Sequence, residues 1–186
     1  MPIPALTSLL VMGGAKSGKT AFAQHLAESA GLQPVYIATA QAFDGEMTTR
    51  IARHKAARGS QWSLLEEPLE LAQIITEAAH EDRILLVDCA TLWLSNWMLA
   101  GRDTDAGTDV LAQALAKVRG PVIMVSNEVG HAIVPDNALA RAFVDAQGHL
   151  NQALARASEG VVQVVAGLPY WLKPAPSVQM LFRSRA

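Results

Sequence analysis

The chain has 186 residues, 51% of them hydrophobic and 17% charged, with a formal net charge of −2. That length and apolar content suit one domain with a sizeable core, and the near-neutral balance excludes the basic field of a nucleic-acid or anionic-membrane binder. The single cysteine, Cys89, rules out an intrachain disulfide or a cysteine-based zinc site, while the absence of a basic leader or a ~20-residue apolar span points to the cytoplasm.

The first apolar run is Ser8-Leu9-Leu10-Val11-Met12, and Gly13-Gly14-Ala15-Lys16-Ser17-Gly18-Lys19-Thr20 follows it directly. Those eight residues read G-x-x-x-x-G-K-[ST], the phosphate-binding P-loop, and a helical pattern continues over residues 21–27. Glycines let backbone N–H groups curl around phosphate oxygens, and the helix N-terminus adds partial positive charge. In this arrangement Lys19 reaches the β- and γ-phosphates of a nucleoside triphosphate, and the Thr20 hydroxyl ligates Mg²⁺.

Val35-Tyr36-Ile37-Ala38 reads as the second strand, with Thr39 and Gln41 beyond its end. A helical stretch over about residues 44–57 follows. Glu46, Arg50, His54 and Arg58 recur there every four residues, so a helix carries them on one face, and Arg53 and Lys55 flank His54. Two readings stay open. One is a solvated basic face laced by Glu–Arg pairs. The other is a phosphate-facing helix whose histidine is a nucleophile, kept neutral by the neighbouring cations, which also hold the triphosphate.

Pro68 is expected to open a helix through Leu71, Ile74, Ile75 and Ala78. Arg83-Ile84-Leu85-Leu86-Val87-Asp88 is a buried-strand pattern ending in a carboxylate. Asp88 reads either as a Walker-B Mg²⁺ ligand or as the N-cap of the helix over residues 92–99. That helix carries Trp93 and Trp97 one turn apart, a pair suited to core or subunit interface. Cys89 reads as a small buried hydrophobe. Residues 101–108 look like a loop, and a helix then leads to a strand over residues 122–125. Ser126-Asn127-Glu128-Val129-Gly130 and His131 form the next loop, Asn137 caps a helix to about Ala157, and residues 161–165 form the last strand. His25, His80 and His149 read as structural or solvated, and His131 as a possible lining of the site. The tail over 174–186 has little signal and is expected to be loosely ordered.

Short apolar runs alternating with helices predict an α/β fold. Its expected form is a doubly wound, mostly parallel sheet of the P-loop NTPase (RecA-like) kind, in a single domain over residues 1–186. Ligands in such sheets sit beyond the carboxyl ends of the strands. The P-loop, Thr39 and Gln41, Asp88, and Asn127 with Glu128 all fall there.

Several blocks together resemble one family. They are the P-loop, Ile37-Ala38-Thr39-Ala40, Arg53-His54-Lys55, Trp62 with Glu66-Glu67-Pro68, and residues 87–96. The remainder are Ser126-Asn127-Glu128-Val129-Gly130 with Ile133-Val134-Pro135, and Gly167-Leu168-Pro169. Nearly the whole chain is similar to the bifunctional adenosylcobinamide kinases/adenosylcobinamide-phosphate guanylyltransferases of cobalamin synthesis. The resemblance implies phosphorylation of adenosylcobinamide with ATP or GTP. GMP transfer from GTP to adenosylcobinamide-phosphate follows, through a guanylylated histidine that maps to His54. It carries nucleotide contacts to Gly13 through Thr20, Ala38, Thr39, Ala40, Lys55, Ala56, Ala57, Arg58, Glu66 and Asp88, and implies a homotrimer. Lys16 stands where the family usually has arginine, His131-Ala132 replaces a residue–glycine pair, and Phe143-Val144-Asp145 lacks an arginine. The alternative from the same fold is a P-loop small-molecule kinase without guanylyltransfer. No N-K-x-D motif is present, which argues against a Ras-type GTPase.

Overall fold

The computed structural model describes residues 6–41, 59–131 and 133–173. Seven strands form one sheet in the order β3-β2-β4-β5-β1-β6-β7. They are β1 (Ser8–Gly13), β2 (Gln33–Ala38), β3 (Ser63–Glu66), β4 (Arg83–Asp88), β5 (Val122–Asn127), β6 (Gly160–Val165) and β7 (Leu168–Lys173). All neighbours pair in parallel except β6 and β7. The described helices are α1 (Lys19–Ser29), α2 (Leu71–Ala78), α3 (Ala90–Leu99), α4 (Thr104–Ala116) and α5 (Ala138–Ala157).

The strand period of two divides the core. Leu9, Val11, Ile84, Leu86, Ile123 and Val125 point to the face covered by α1 through Ala23 and Ala27. Leu10, Leu85, Val87 and Met124 point to the other face. There they meet Leu71 and Ile75 of α2, Trp93 and Leu94 of α3, Leu111 and Leu115 of α4, and Leu150 and Leu154 of α5. The four central strands are buried almost end to end, as expected of parallel strands with helices on both faces.

Three expectations are corrected. Residues 161–165 are not the last strand, because β7 follows through a turn in which Ala166 and Gly167 both have positive φ, 51° and 82°. Two such residues make the tight hairpin turn whose twist matches its strands. Residues 104–108 are the first turns of α4, since the Asp103 side chain accepts from the Asp105 and Ala106 N–H groups and starts the helix. Pro68 lies three residues ahead of α2, in a turn held by the Glu67 carboxylate, which accepts from the N–H groups of Leu69 and Glu70. β3 went unanticipated, being only four residues long and mostly exposed. Asn137 does cap α5, accepting from Leu139 and Ala140 N–H. The helical stretch over 44–57 and the tail over 174–186 lie outside the described residues.

Candidate nucleotide site

Because β2, β4, β5 and β1 are consecutive and parallel, their carboxyl ends lie side by side. The P-loop leaves β1 there, and its shape follows from its glycines. A Cβ on Gly13 would stand 2.5 Å from both Ser17 Oγ and the Val164 carbonyl oxygen. Gly18, at φ 96°, is the N-cap of α1, and a Cβ on it would press to 3.0 Å of Gly167 Cα. The loop is tied down on three sides. Ser17 N–H donates to Gly14 C=O (3.2 Å), Gly167 N–H to Ser17 C=O (2.8 Å), and Glu128 N–H to Gly13 C=O (3.0 Å).

Lys19 opens α1 and is buried, with Nζ donating to the Gly14 carbonyl at 3.2 Å, so its ammonium lies over the loop. No acidic residue sits in the first turn of α1 to compete for that helix end. Ser17 Oγ is buried without a protein partner, and an orphaned polar atom in such a cradle is what a ligand oxygen satisfies. The side chains of Ala15 and Lys16 point outward into solvent. The cradle therefore fits a polyphosphate on the evidence of its own atoms.

Asp88 ends β4 and accepts a hydrogen bond from the Tyr36 hydroxyl at 2.8 Å. It does not cap α3: the cap position is Cys89, and no side chain closes that helix end. The N-cap alternative for Asp88 is thus removed. Tyr36 went unassigned in the sequence, although a lone phenol two residues before the end of an aliphatic strand is the signal for it. Its ring meets Trp62 edge-on at 6.1 Å, and Trp62 Nε1 donates to Glu28 at 3.0 Å. Thr39, fully buried, donates to the Cys89 carbonyl (2.8 Å) and accepts from Cys89 N–H (2.9 Å), joining the ends of β2 and β4. Asn96 then holds the Thr39 and Pro68 carbonyls. Glu66 ends β3 opposite Ala38 and joins the same edge.

The buried Cys89 thiol is pushed up to about 12, first by burial and next by the Asp88 carboxylate. It stays a protonated apolar filler at neutral pH, as expected. Trp93 is core, its indole N–H donating to the Leu69 carbonyl, and the half-buried Trp97 carries the Arg102 guanidinium over its ring. His149 pairs with Asp105 at 3.0 Å. Among the described residues no group of three His, Cys, Asp or Glu side chains could hold a metal alone. A cation here would share its shell with phosphate oxygens. His54, Lys55, Ala56, Ala57 and Arg58 lie outside the described residues. The structure places the P-loop residues, Ala38, Thr39, Ala40, Glu66 and Asp88 at the carboxyl ends of the parallel strands, with Glu66 four strands from the P-loop.

A parallel sheet with a P-loop after β1 and an acid ending a strand one position removed defines a P-loop NTPase. Solved structures agree on the fold. The chain superposes on the RadB recombinase with TM-score 0.51 at 17% identity, covering 84% of this chain and 73% of that one. It superposes on an ATPase of the type III secretion system with TM-score 0.56 at 12% identity, covering 96% and 59%. Within that class, residues 9–172 match the family described as cobinamide kinase / cobinamide phosphate guanyltransferase, and the chain belongs to it. It is 48% identical over 169 residues to the bifunctional adenosylcobalamin biosynthesis protein CobP of Pseudomonas aeruginosa, covering 90% of this chain and 98% of that one. It is 37% identical over 180 residues to CobU of Salmonella typhimurium, another bifunctional adenosylcobalamin biosynthesis protein, covering 89% and 99%.

Proposed function

We propose that this chain carries out two transfers on a corrinoid alcohol. In the first, the hydroxyl oxygen of adenosylcobinamide attacks the γ-phosphorus of ATP or GTP, the β–γ bridge bond breaks, and a nucleoside diphosphate and a proton leave. In the second, an imidazole nitrogen of His54 attacks the α-phosphorus of GTP and expels pyrophosphate. The phosphate of adenosylcobinamide-phosphate then displaces the histidine, giving adenosylcobinamide-GDP. The observation that carries this reading is a polyphosphate cradle and a facing carboxylate on one sheet edge, in a chain of this family.

Gly13 through Thr20 form the cradle, with Lys19 countering charge on the β- and γ-phosphates. Ala38, Thr39, Ala40, Glu66 and the Lys55-Ala56-Ala57-Arg58 segment complete the nucleotide contacts. Thr20 and Asp88 would hold Mg²⁺, which offsets triphosphate charge when bound. The 186 residues work as one domain, in the cytoplasm, and as a homotrimer. Two observations favour the last two points. Among the described residues no helix is long and apolar enough to cross a membrane. The outer strand β7 leaves Leu168, Tyr170 and Leu172 exposed, a surface that a subunit contact would cover.

Incubation with α-phosphate-labelled GTP and Mg²⁺ tests the reading. Covalent label that is labile in acid and persists in alkali is expected on the wild-type protein. His54→Ala removes the label and the guanylyl step, and leaves phosphorylation of adenosylcobinamide in place at least in part. Full labelling of His54→Ala overturns the nucleophile. A wild-type protein that phosphorylates without ever labelling is a kinase alone.

A further inference from the structure

Just beyond the end of β5, the strand beside that of Asp88, lies a second carboxylate that none of the nucleotide contacts uses. Glu128 is the first residue after β5, and its N–H is bonded to the first residue of the P-loop. Its side chain is only 23% exposed. One carboxylate oxygen accepts from Asn151 Nδ2 at 3.3 Å, and the other lies 3.3 Å from His131 Nε2.

Behind it stands a buried polar network in what is otherwise an apolar interface between β5, α3 and α5. Asn151 Nδ2 also donates to the Asn127 carbonyl (3.0 Å), and its Oδ1 accepts from Ser126 Oγ (2.6 Å) and Gln147 Nε2 (2.9 Å). Thr91 Oγ1 accepts from Asn127 N–H (2.8 Å). All four hydrogen-bonding directions of the Asn151 amide are therefore used, and its orientation is fixed. Burying that much polarity costs stability unless every partner is met, so aliphatic residues would fill the space more favourably. The network's visible output is one aimed carboxylate beside a phosphate cradle.

Without a cation between them, a carboxylate repels a triphosphate. Its chemistry suits the neutral acceptor instead. We propose that Glu128 is the catalytic base of the kinase step, and that Asn151 is its positioning residue. Glu128 accepts the hydroxyl proton of the acceptor alcohol as the alcohol oxygen bonds to the γ-phosphorus and the nucleoside diphosphate departs. The proton then passes to solvent, where His131, which is largely exposed, lies at the carboxylate's outer oxygen.

This rests on the proposed kinase reaction, which γ-labelled GTP with adenosylcobinamide and wild-type protein tests by itself. The inference is tested by Glu128→Gln and Asn151→Ala, measured at saturating nucleotide alongside nucleotide affinity and thermal melting. Glu128→Gln is expected to lower phosphoryl-transfer turnover by roughly a hundredfold or more, the usual range for losing a general base. Nucleotide affinity should hold within a few fold. Asn151→Ala should lower turnover by a smaller factor, again in kcat and not in KM for nucleotide, at temperatures where the protein is folded. Near-wild-type turnover of Glu128→Gln overturns the proposal. So does a loss recovered by raising nucleotide, or by raising Mg²⁺, which would make Glu128 a binding or metal-ligating group. Absence of transfer by the wild-type protein overturns the kinase reading and this inference together.

Discussion

The Tyr36 hydroxyl holds one oxygen of Asp88, and this contact separates two causes of metal dependence. Asp88→Asn is expected to raise the Mg²⁺ concentration needed for half-maximal activity in both transfers, because an amide oxygen is a poorer ligand for a hard dication. Tyr36→Phe leaves the carboxylate in place but removes this donor, so a smaller shift in the same direction is expected in a Mg²⁺ titration. It should also lose roughly 1–3 kcal/mol of stability from a hydrogen bond to a charged group. Cys89 gives a pH signature. Its thiol is pushed up in the folded protein to about 12, so the folded state favours the protonated form. The resulting stability is full below the unfolded thiol's pKa and is lost as pH rises from there toward 12. Melting temperature should fall over that range in the wild-type protein and fall less in Cys89→Ala. The P-loop, Thr39 and Asp88 were legible because each is marked by residue type or by its place at a strand end, whereas Glu66, on the unanticipated β3, was marked only by the family resemblance. The Tyr36 and Asn151 contacts were not, because they join residues 52 and 23 positions apart, and no local pattern encodes them.

Strands and helices were legible in proportion to their burial. The central strands are aliphatic runs in the sequence because both faces are covered. β3 and β7 sit at the two sheet edges, where exposed positions accept Ser63, Glu66 and Pro169 and the apolar pattern breaks. The start of α4 was hidden by Asp103, Thr104, Asp105 and Gly107, residues common in loops; here they cap and begin the helix, and Gly107 makes room for the Trp97 ring. The junction of the P-loop with the β6–β7 turn yields a glycine test. Gly18→Ala imposes both a left-handed backbone and contact with Gly167 Cα, and should cost about 1–2 kcal/mol along with nucleotide affinity. Gly14→Ala meets nothing within 4 Å and should leave the melting temperature unchanged. Equal destabilisation by the two would show that the junction with Gly167 does not constrain the loop.

At the scale of the molecule, the doubly wound architecture was legible because the alternation of strand and helix patterns survives the local errors. The strand order was not, since register and adjacency are set by packing between distant segments. The exposed face of β7 bears on assembly. Sedimentation should give a mass near three times the 19.8 kDa chain, and Tyr170→Lys should shift it toward a single chain. A single-chain mass for the wild-type protein would remove the trimer. The sheet order also has a bearing on synthesis. β1, which carries the P-loop, pairs with β5 and β6, so the strand made first waits for partners made more than a hundred residues later. A ribosome that has released only residues up to α5 has exposed a complete phosphate-binding motif with one flank still open. The contact that closes that flank, from Gly167 N–H to the Ser17 carbonyl, forms only once the β6–β7 hairpin has been made.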